Sequence, residues 1–482
     1  MSSVRIRLSK KSCSQTFKRL ISRAAFALCV LSFSLPSLNN AYAFKVQVGT
    51  APENTLSLIL GAIGSAKHSL LINIYELASP EIAQAIIDRI NHGVHVEMLQ
   101  EGEPVGGVSA ASRGLQAQIA LAMEAHPKCC RFAEMRKGVG GARRFRYDHA
   151  KYIVIDQSAL LLGSENYSPG GHPEPGTLGN RGWEILVADP QPAQWFAKLF
   201  AMDSDLRHSD VHSLLNAGIT RQATPPMPVI VPARSAVINP VLDATDGQII
   251  TSPDTSLKGI IGLIQSARKT LDIEQMSFNM NWVTSSNGDP NAKGMSPIAQ
   301  AIADAAHRGV RVRILLNDEF AFIGGANHGG TDGSDGTGAE PDNAMNLSGK
   351  TTPNRRTVQA FMQLAAAEHL PIEARIANLK AMGVAYIHNK GVIVDGKITL
   401  ISSINWTQNS ITNNRETAVA LKSPQIAAYF GQAFNQDWNR SAARNASIQM
   451  QPKTTIMEPS LAMEPVSRSA PDVCPNGLMV SA

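Results

Sequence analysis

One motif occurs twice in this chain, and the repetition constrains the fold more than any other feature. Each copy is a His-x-Lys-x4-Asp motif followed by a Ser-x-Asn element. The members are His149, Lys151, Asp156, Ser164 and Asn166 in the first copy, and His388, Lys390, Asp395, Ser403 and Asn405 in the second. His388 and Ser403 each lie 239 residues after their counterparts. Only about 0.03 such His-Lys-Asp motifs are expected by chance among 12 histidines. The motif therefore indicates a tandem duplication.

The residues before each motif repeat as well. Apolar residues at helical spacing precede a short apolar run, and a Ser-Pro pair then opens a second helix at Ser79 and again at Ser296. Within these helices, residues 83–86 and 299–302 have the same sequence, Ala-Gln-Ala-Ile. This order predicts an α/β fold, built as a tandem duplication of a β-α-β-α-β unit of roughly 190 residues.

A length of 482 residues exceeds what one hydrophobic core usually holds, so two lobes are expected. Between the copies lies a Pro-rich stretch, and residues 324–349 are dominated by Gly, Asp and Asn, which predicts a mobile loop. The predicted organisation is a signal peptide at 1–43, an N-terminal lobe at 44–218, a linker at 219–247, a C-terminal lobe at 248–440 and a Ser/Pro/Met-rich tail at 441–482.

The first 43 residues have the composition of a secretory signal peptide. Seven basic residues and no acidic one precede or flank an apolar run at 24–33, and Ala41-Tyr42-Ala43 supplies a cleavage site after Ala43. The apolar run is too short to span a bilayer, and no other segment of the mature chain is long enough. The formal charge of +5 comes from this leader, because the rest of the chain has 37 Lys and Arg against 39 Asp and Glu. We expect a secreted or periplasmic protein.

Three cysteines remain after cleavage: Cys129, Cys130 and Cys474. In an oxidising compartment a disulfide from the vicinal pair to Cys474 would tie the tail to the body of the protein and leave one thiol over. No Cys-x-x-Cys or Cys/His spacing typical of a zinc site is present, and the Asp-rich loop lacks the spacing of a calcium loop. Neither a metal nor a cofactor is expected.

The local sequence of the motif predicts which of its side chains point together. The apolar run after Lys151 indicates a buried strand, so His149 and Lys151, two residues apart, face the same side. Asp156 lies on the opposite face and about 17 Å further along an extended strand. We therefore expect Asp156, and Asp395 in the second copy, to fix a loop rather than contact substrate.

A surface formed by two histidines, two lysines and two asparagines has the chemistry to bind a phosphodiester. Ammonium and amide groups neutralise and hold the phosphate, one histidine attacks phosphorus, and the other protonates the departing oxygen. Each imidazole needs a carboxylate to fix its tautomer. Glu184 and Glu416 follow the motifs at similar distances, within Asn180-Arg181-Gly182-Trp183-Glu184 and Asn414-Arg415-Glu416, and are predicted to serve.

These residues resemble the phospholipase D superfamily, whose signature is the HxKxxxxD motif followed by Gly-Ser-x-Asn. The resemblance covers nearly all of residues 44–440 and implies two α/β lobes on a pseudo-two-fold axis with a single active site at their interface. It also implies that His149 is the nucleophile and that His388 is the general acid and then the base. The phosphate-binding residues implied by it are Lys151, Lys390, Asn166, Asn405, Ser164 and Ser403.

The second copy departs from the first in two places. Ser402 stands where the first copy has Gly163, which we expect to alter only a turn. The second copy also lacks the Gly182-Trp183 insert before its glutamate. Neither difference affects the predicted catalytic residues.

The superfamily contains lipid hydrolases, head-group transferases that make cardiolipin, nucleases and inactive relatives. Near-neutral charge disfavours a nucleic-acid substrate, although five basic residues at 136–146 precede His149, and a solvated loop explains them equally well. Exposed aromatics at 320–325 would suit a lipid interface, and a core position would explain them too. We expect an exported, monomeric phospholipase D that hydrolyses glycerophospholipids at a membrane surface to phosphatidic acid and free alcohol, with transphosphatidylation as an added activity. The alternatives are a nuclease or other phosphodiesterase, a cardiolipin-synthase-like transferase, and a binding protein on an inactive scaffold.

Overall fold

The structure is a computed structural model that describes residues 43–126, 129–215, 239–283, 293–319 and 352–442. Several sequence-based predictions lie outside the described residues. They concern the signal peptide before residue 43, the aromatics at 320–325, the loop at 324–349, the tail from residue 443 and the disulfide to Cys474. Within the described part, Cys129 and Cys130 are free cysteines.

The N-terminal lobe is built on a nine-stranded mixed sheet in the order β8-β4-β3-β2-β5-β6-β7-β1-β9. Neighbouring strands β2, β3 and β4 run parallel, and the remaining neighbours are antiparallel. The strands are β1 Phe44–Ala51, β2 Ser69–Ile74, β3 His95–Glu101, β4 Arg131–Met135, β5 Lys151–Ile155, β6 Ala159–Gly163, β7 Gly182–Ala188, β8 Val211–Ser213 and β9 Val241–Ala244.

The C-terminal lobe has a seven-stranded sheet in the order β10-β18-β17-β16-β11-β14-β15 and a separate two-stranded ribbon. Its strands are β10 Asp246–Ser252, β11 Thr270–Gln275, β14 Arg311–Leu316, β15 Ile372–Ile376, β16 Lys390–Val394, β17 Ile398–Ser402 and β18 Glu416–Lys422. The ribbon consists of β12 Asn281–Val283 and β13 Lys293–Met295.

Helices connect the strands in both lobes. They are α1 Thr55–Ser65, α2 Pro80–Asn91, α3 Ala110–Glu124, α4 Pro190–Asp203, α5 Ser256–Ser266, α6 Pro297–His307, α7 Pro353–Glu368, α8 Leu379–Met382, α9 Gln408–Thr412 and α10 Pro424–Arg440. None of the helices in the described part of the chain combines the length and the apolar character needed to cross a membrane.

The two sheets repeat one another strand for strand. The order β4-β3-β2-β5-β6-β7-β1 in the first lobe corresponds to β15-β14-β11-β16-β17-β18-β10 in the second, and β8 and β9 are added at the edges of the first. This confirms the predicted duplicated α/β fold. The repeating unit extends beyond β-α-β-α-β, because an antiparallel meander carrying the motif completes each sheet.

The boundary between the lobes differs from the predicted linker at 219–247. Residues 241–244 form β9, which pairs with β1 through registers such as Phe44 with Ala244. β10 follows after the single residue Thr245 and belongs to the second sheet. The last part of the predicted linker is therefore sheet, and Leu242 of β9 and Ile249 of β10 pack against the hydrophobic core.

Local sequence explains the elements that lead to the motifs. Ser79 and Ser296 cap their helices by accepting hydrogen bonds from the N–H groups of Ile82 and Ala299, with proline at the first helical position. Strands β5 and β16 are buried along their whole length, which is why they read as continuous apolar runs after each motif lysine.

A hydrophobic core shared by both lobes fills the space between the two sheets. It includes Phe196 of α4 and Phe430 of α10. Each lobe also has one further core of its own. Trp183 of the first lobe stacks on Phe430 of the second, with ring centroids 4.7 Å apart. Because this core is built from buried residues of both lobes, the facing edges of the two motifs are held in a fixed relation.

Candidate active site

The two motifs meet at the lobe interface through one contact made twice. The N–H of His149 donates to the carbonyl of Arg415 at 2.8 Å, and the N–H of His388 donates to the carbonyl of Arg181 at 2.9 Å. The residues before each histidine also form reciprocal bridges, Asp148 with Arg415 and Ile387 with Arg181. Reciprocal contacts of this kind are those of a pseudo-two-fold axis. Both histidines therefore belong to one site.

Each lysine lies beside the histidine of its own motif. The Nζ of Lys151 donates to the carbonyl of His149 at 2.8 Å, and the Nζ of Lys390 donates to the carbonyl of His388 at 2.7 Å. All four residues have at most 1% of their surface exposed. Two ammonium groups with little contact with water form a strong binding site for an anionic group.

Burial and the lysines set the charge of the histidines. Burial, followed by the nearby ammonium groups, lowers the pKa of His149, while Glu416 opposes the shift. Burial, then Lys390, Lys151 and His149, lower the pKa of His388 well below its usual value. Both imidazoles are therefore neutral near pH 7 before a phosphate enters. The mutual effects also show that the groups from the two lobes lie within electrostatic range of one another.

Glu416 orients His149 from across the interface. Its Oε2 lies 2.7 Å from the Nδ1 of His149. The Ser403 hydroxyl donates to the same oxygen at 2.7 Å, and the Asn414 amide donates to Oε1 at 3.0 Å. With the Glu416 oxygen as acceptor, the proton of the neutral imidazole lies on Nδ1 and the lone pair lies on Nε2. That Nε2 is buried and has no hydrogen-bond partner in the described part of the structure.

Glu165, and not the predicted Glu184, orients His388. The Oε2 of Glu165 lies 3.1 Å from the Nδ1 of His388 and accepts a hydrogen bond from the Asn180 amide at 2.9 Å. The prediction was wrong because it matched Glu184 with Glu416 as the first glutamate after the Asn-Arg pair in each copy. The two interface arginines are the true equivalents, so Glu416 corresponds to Gly182, and no insert precedes the strand.

Two glycines make room for this arrangement. A Cβ added at Gly182 would lie 2.1 Å from the Glu165 Oε1, so Glu165 occupies the space that a side chain at 182 would fill. A Cβ at Gly163 would lie 2.9 Å from the Cγ of Glu184, its cross-strand neighbour. The difference between Gly163 and Ser402 therefore changes the packing of a carboxyl group and is more than a change of turn.

The hydroxyl groups of the two motif serines face protein groups. The Ser164 hydroxyl accepts from the N–H of Trp183 at 3.1 Å, and the Ser403 hydroxyl accepts from the N–H of Thr417 at 3.0 Å while donating to Glu416. This geometry supports the strand that follows each motif, and for Ser403 it supports the glutamate. The assignment of both serines to phosphate binding stays a prediction.

The motif asparagines, Asn166 and Asn405, are fully buried just beyond the ends of β6 and β17. Both strands pair with the strands that begin at the motif lysines, so the asparagines follow the motifs to the same end of each sheet. Their assignment to phosphate binding stays a prediction.

Asp156 and Asp395 lie away from the histidines and hold a loop. The Asp156 carboxylate accepts hydrogen bonds from three successive N–H groups, Lys67, His68 and Ser69, at 2.7–2.9 Å. Asp395 accepts from the three equivalent N–H groups at 268–270. Both aspartates have positive φ angles, which is tolerated better by Asp than by most residues. This is the geometry of a scaffold residue.

A second pair of interface residues had not been assigned a role from sequence. Two ion pairs cross the lobe interface. Arg181 pairs with Asp437 at 2.7 Å, and Arg415 pairs with Asp203 at 2.9 Å. The arginines carry the carbonyls that receive the histidine N–H groups, so these ion pairs fix the backbone of the site. The repetition of Arg and Asp in both copies was the available signal.

The basic cluster at 136–146 is largely neutralised by acids. Arg143 pairs with Glu101 and Glu103, Arg144 with Asp210 at 2.9 Å, and Arg136 with Glu134 at 2.6 Å. These pairs leave little positive field at this side of the site for a nucleic-acid backbone.

Comparisons with known proteins bear on the family and the fold. Residues 59–204 and 260–438 match the family described as "Cardiolipin synthase, PLD-like domain". A mitochondrial cardiolipin hydrolase of Chlamydomonas reinhardtii is 27% identical over 185 residues, 38% of this chain and 58% of that protein. The mitochondrial cardiolipin hydrolase of Danio rerio is 30% identical over 64 residues, 13% of this chain and 28% of that protein. The match thus spans less than two thirds of either relative.

Among solved structures, a phosphatidylserine synthase from Haemophilus influenzae Rd KW20 has the same fold. It superposes with a TM-score of 0.56 at 15% identity, over 81% of this chain and 86% of that chain. The similarity concerns the two-lobe architecture, in which both copies of the repeated unit are present.

Proposed function

Since this chain belongs to the family of cardiolipin-synthase-type, phospholipase D-like domains, whose members act on phosphodiester bonds, we propose that it is a phospholipase D. Its reaction would cleave a glycerophospholipid between the phosphate and the head-group alcohol. The observation that carries the proposal is the pair of buried histidines, each oriented through Nδ1 by a glutamate, beside two lysines at one interface.

In the first step the Nε2 of His149 attacks phosphorus with its lone pair. The negative charge of the bound phosphodiester raises the pKa of His388, which enters the step as the imidazolium. The bond from phosphorus to the head-group oxygen breaks, and the imidazolium of His388 gives its Nε2 proton to that oxygen. The phosphate charge is held by Lys151 and Lys390, and Glu416 stabilises the positive charge that develops on His149. The products are the free alcohol and a phosphatidyl group bound to His149.

In the second step His388, now neutral, acts as the base. It takes the proton from an incoming hydroxyl, whose oxygen attacks phosphorus, and the bond to His149 breaks. With water as the acceptor the product is phosphatidic acid. With an alcohol as the acceptor the product is a new phosphodiester, and the proton count is the same.

Head-group transfer is therefore the second candidate function. The specific observation in its favour is the burial of both histidines to 0% exposure, which limits the access of bulk water to the covalent intermediate. A nucleic-acid substrate is less well supported, because acidic partners neutralise most of the basic residues near the site.

The same proposal includes export. The leader at 1–43 has the composition of a signal peptide, and the first strand begins at Phe44, so cleavage after Ala43 would leave the described fold intact. Expression in a bacterial host followed by mass spectrometry of the periplasmic and culture fractions tests this. The expected N-terminus is Phe44, and a retained leader in the membrane fraction would contradict it.

The activity is tested with purified protein and vesicles of phosphatidylcholine, phosphatidylethanolamine or cardiolipin, in EDTA, with and without 1-butanol. Phosphatidic acid in water supports hydrolysis, and a phosphatidyl alcohol formed in preference to phosphatidic acid supports transfer. His388→Ala serves as the inactive control. Cleavage of single-stranded DNA without release of any lipid head group would overturn the choice of substrate.

A further inference from the structure

One aromatic side chain contacts both reactive groups of the first motif, and the reaction steps above do not use it. The ring of Tyr75 lies edge-on to the His149 imidazole, with ring centroids 4.8 Å apart. The ammonium group of Lys151 lies over the same ring, 5.3 Å from its centroid. Tyr75 has 1% of its surface exposed. The proposed nucleophile and a phosphate-binding cation therefore share one buried aromatic neighbour.

The end of strand β2 places this ring at the site. β2 pairs with β5 so that Ile74 faces Lys151, and Tyr75 is the next residue. The Tyr75 hydroxyl accepts a hydrogen bond from the N–H of Val105 at 2.8 Å. Val105 belongs to the loop at 102–109, between β3 and α3. The tyrosine is thus fixed at its backbone by the sheet and at its hydroxyl by this loop.

The second lobe has a methionine at the equivalent place. In β11 the residue that faces Lys390 is Gln275, so Met276 stands where the first lobe has Tyr75. His388 packs edge-on against Tyr386 instead, with ring centroids 5.7 Å apart, and Tyr386 comes from the segment just before the motif. A ring at the end of β2 therefore belongs to the lobe that supplies the proposed nucleophile.

A ring in this place restricts the motion of both groups. Close packing against the ring limits rotation of the His149 imidazole away from the carboxylate of Glu416. The negative face of the ring attracts the Lys151 ammonium group, and this attraction is strongest where water is excluded. In the first step the Nε2 of His149 and the Nζ of Lys151 must converge on one phosphate. A displacement of about 1 Å in such a site can lower the rate about 10²-fold.

We propose that Tyr75 is a positioning residue for the first step: its ring keeps His149 turned toward Glu416 and holds the Lys151 ammonium group beside it. Tyr75 acts through these two side chains and transfers no proton. The inference rests on the proposed function only in treating His149 as the nucleophile.

The experiment measures a single turnover of a p-nitrophenyl phosphodiester with the enzyme in excess, so that only the first step is observed. Tyr75→Met removes the ring and copies the second lobe. We expect its rate constant at saturation to fall about 10- to 100-fold, with a smaller change in the half-saturating concentration. Tyr75→Phe keeps the ring and should retain most of the rate constant. Phe361→Met removes a buried ring from the second lobe's own core, and as the control for lost stability it should keep the wild-type value.

The nitrogen NMR shifts of the His149 imidazole, assigned by their disappearance in His149→Ala, give a readout that needs no substrate. They show which ring nitrogen carries the proton, and the loss of a ring current is too small to imitate a change of tautomer. The wild type and Tyr75→Phe should have the proton on Nδ1, whereas Tyr75→Met should show a mixture of the two tautomers. That mixture, with no lipid cleavage by the wild type, would refute the proposed function and leave this inference standing.

A folded Tyr75→Met with the wild-type rate constant and a single Nδ1 tautomer would overturn the inference. A loss of rate in Phe361→Met equal to that in Tyr75→Met would also overturn it. If Tyr75→Met does not fold, pentafluorophenylalanine at position 75 takes its place, because it keeps the size of the ring and removes the attraction for a cation. This variant should be slower than Tyr75→Phe in the same assay, and equal rate constants in the two would overturn the inference.

Discussion

The two lobes present the same backbone to the site and different carboxylates. In both, an arginine carbonyl receives the N–H of the other lobe's histidine, at 2.8 and 2.9 Å. The carboxylate for His149 comes from the first residue of β18, whereas that for His388 comes from the loop after β6. Duplication has thus kept the positions of the histidines and lysines, while the source of one carboxylate has moved to another strand end. One site therefore contains two histidines in different surroundings.

The largest expected effect concerns the histidines themselves. His149→Ala and His388→Ala should each reduce kcat on phospholipid by at least about 10³-fold, since one removes the nucleophile and the other the acid. The assay is release of head group from vesicles. A variant that keeps most of its turnover would contradict the shared site.

A substrate with a good leaving group separates the two roles. A p-nitrophenyl phosphodiester needs no proton at its leaving oxygen, so His388→Ala should retain a burst of p-nitrophenolate that His149→Ala lacks. Equal loss of the burst in both variants would contradict the assignment of His149 as nucleophile and His388 as acid.

The next effect tests whether a glutamate at position 182, the equivalent of Glu416, can replace Glu165. Glu165→Ile gives the first lobe the residue found at 404, and should lower kcat by roughly 10²-fold. Adding Gly182→Glu places a carboxylate where the second lobe has Glu416. The double variant should recover at least about tenfold of the loss, because both positions follow an interface arginine.

Thermal unfolding shows whether the double variant is folded, and Gly182→Glu alone is the control. The single change should be strongly destabilising, because its side chain would collide with Glu165. A folded double variant without any recovery would show that positions 182 and 416 are not equivalent.

A smaller effect is expected in the pH dependence. Burial and the lysines lower the pKa of His388 in the free enzyme, so its protonated form is lost as pH rises through a value below the usual one. A bound phosphodiester adds negative charge, which raises that pKa in the complex. The basic limb of kcat/KM should therefore lie at lower pH than the basic limb of kcat. Coincident limbs, or the opposite order, would contradict the proposed acid.

The sequence predicted the duplication from the repeated motif and the strands beside the motifs from the apolar runs. That both motifs meet in one site was implied by the resemblance to the superfamily. It could not identify Glu165, which stands at the variable position between Ser164 and Asn166. Which glutamate reaches a histidine depends on strand ends that meet only across the lobe interface. The signal lay in the glycines: Gly163 and Gly182 replace Ser402 and Glu416, and each substitution makes room for a carboxyl group.

The smallest effect is expected where the lobes are alike. Asp156→Ala and Asp395→Ala each remove the acceptor for three backbone N–H groups. Water can reach most of these groups, so each variant should lose only about 1–2 kcal/mol of unfolding free energy in urea. The kcat of the folded protein should not change, because neither carboxylate reaches the histidines. Similar losses in the two variants would mark this part of the duplication as equivalent in both lobes. A fall in kcat at full folding for either variant would instead place that aspartate in the site.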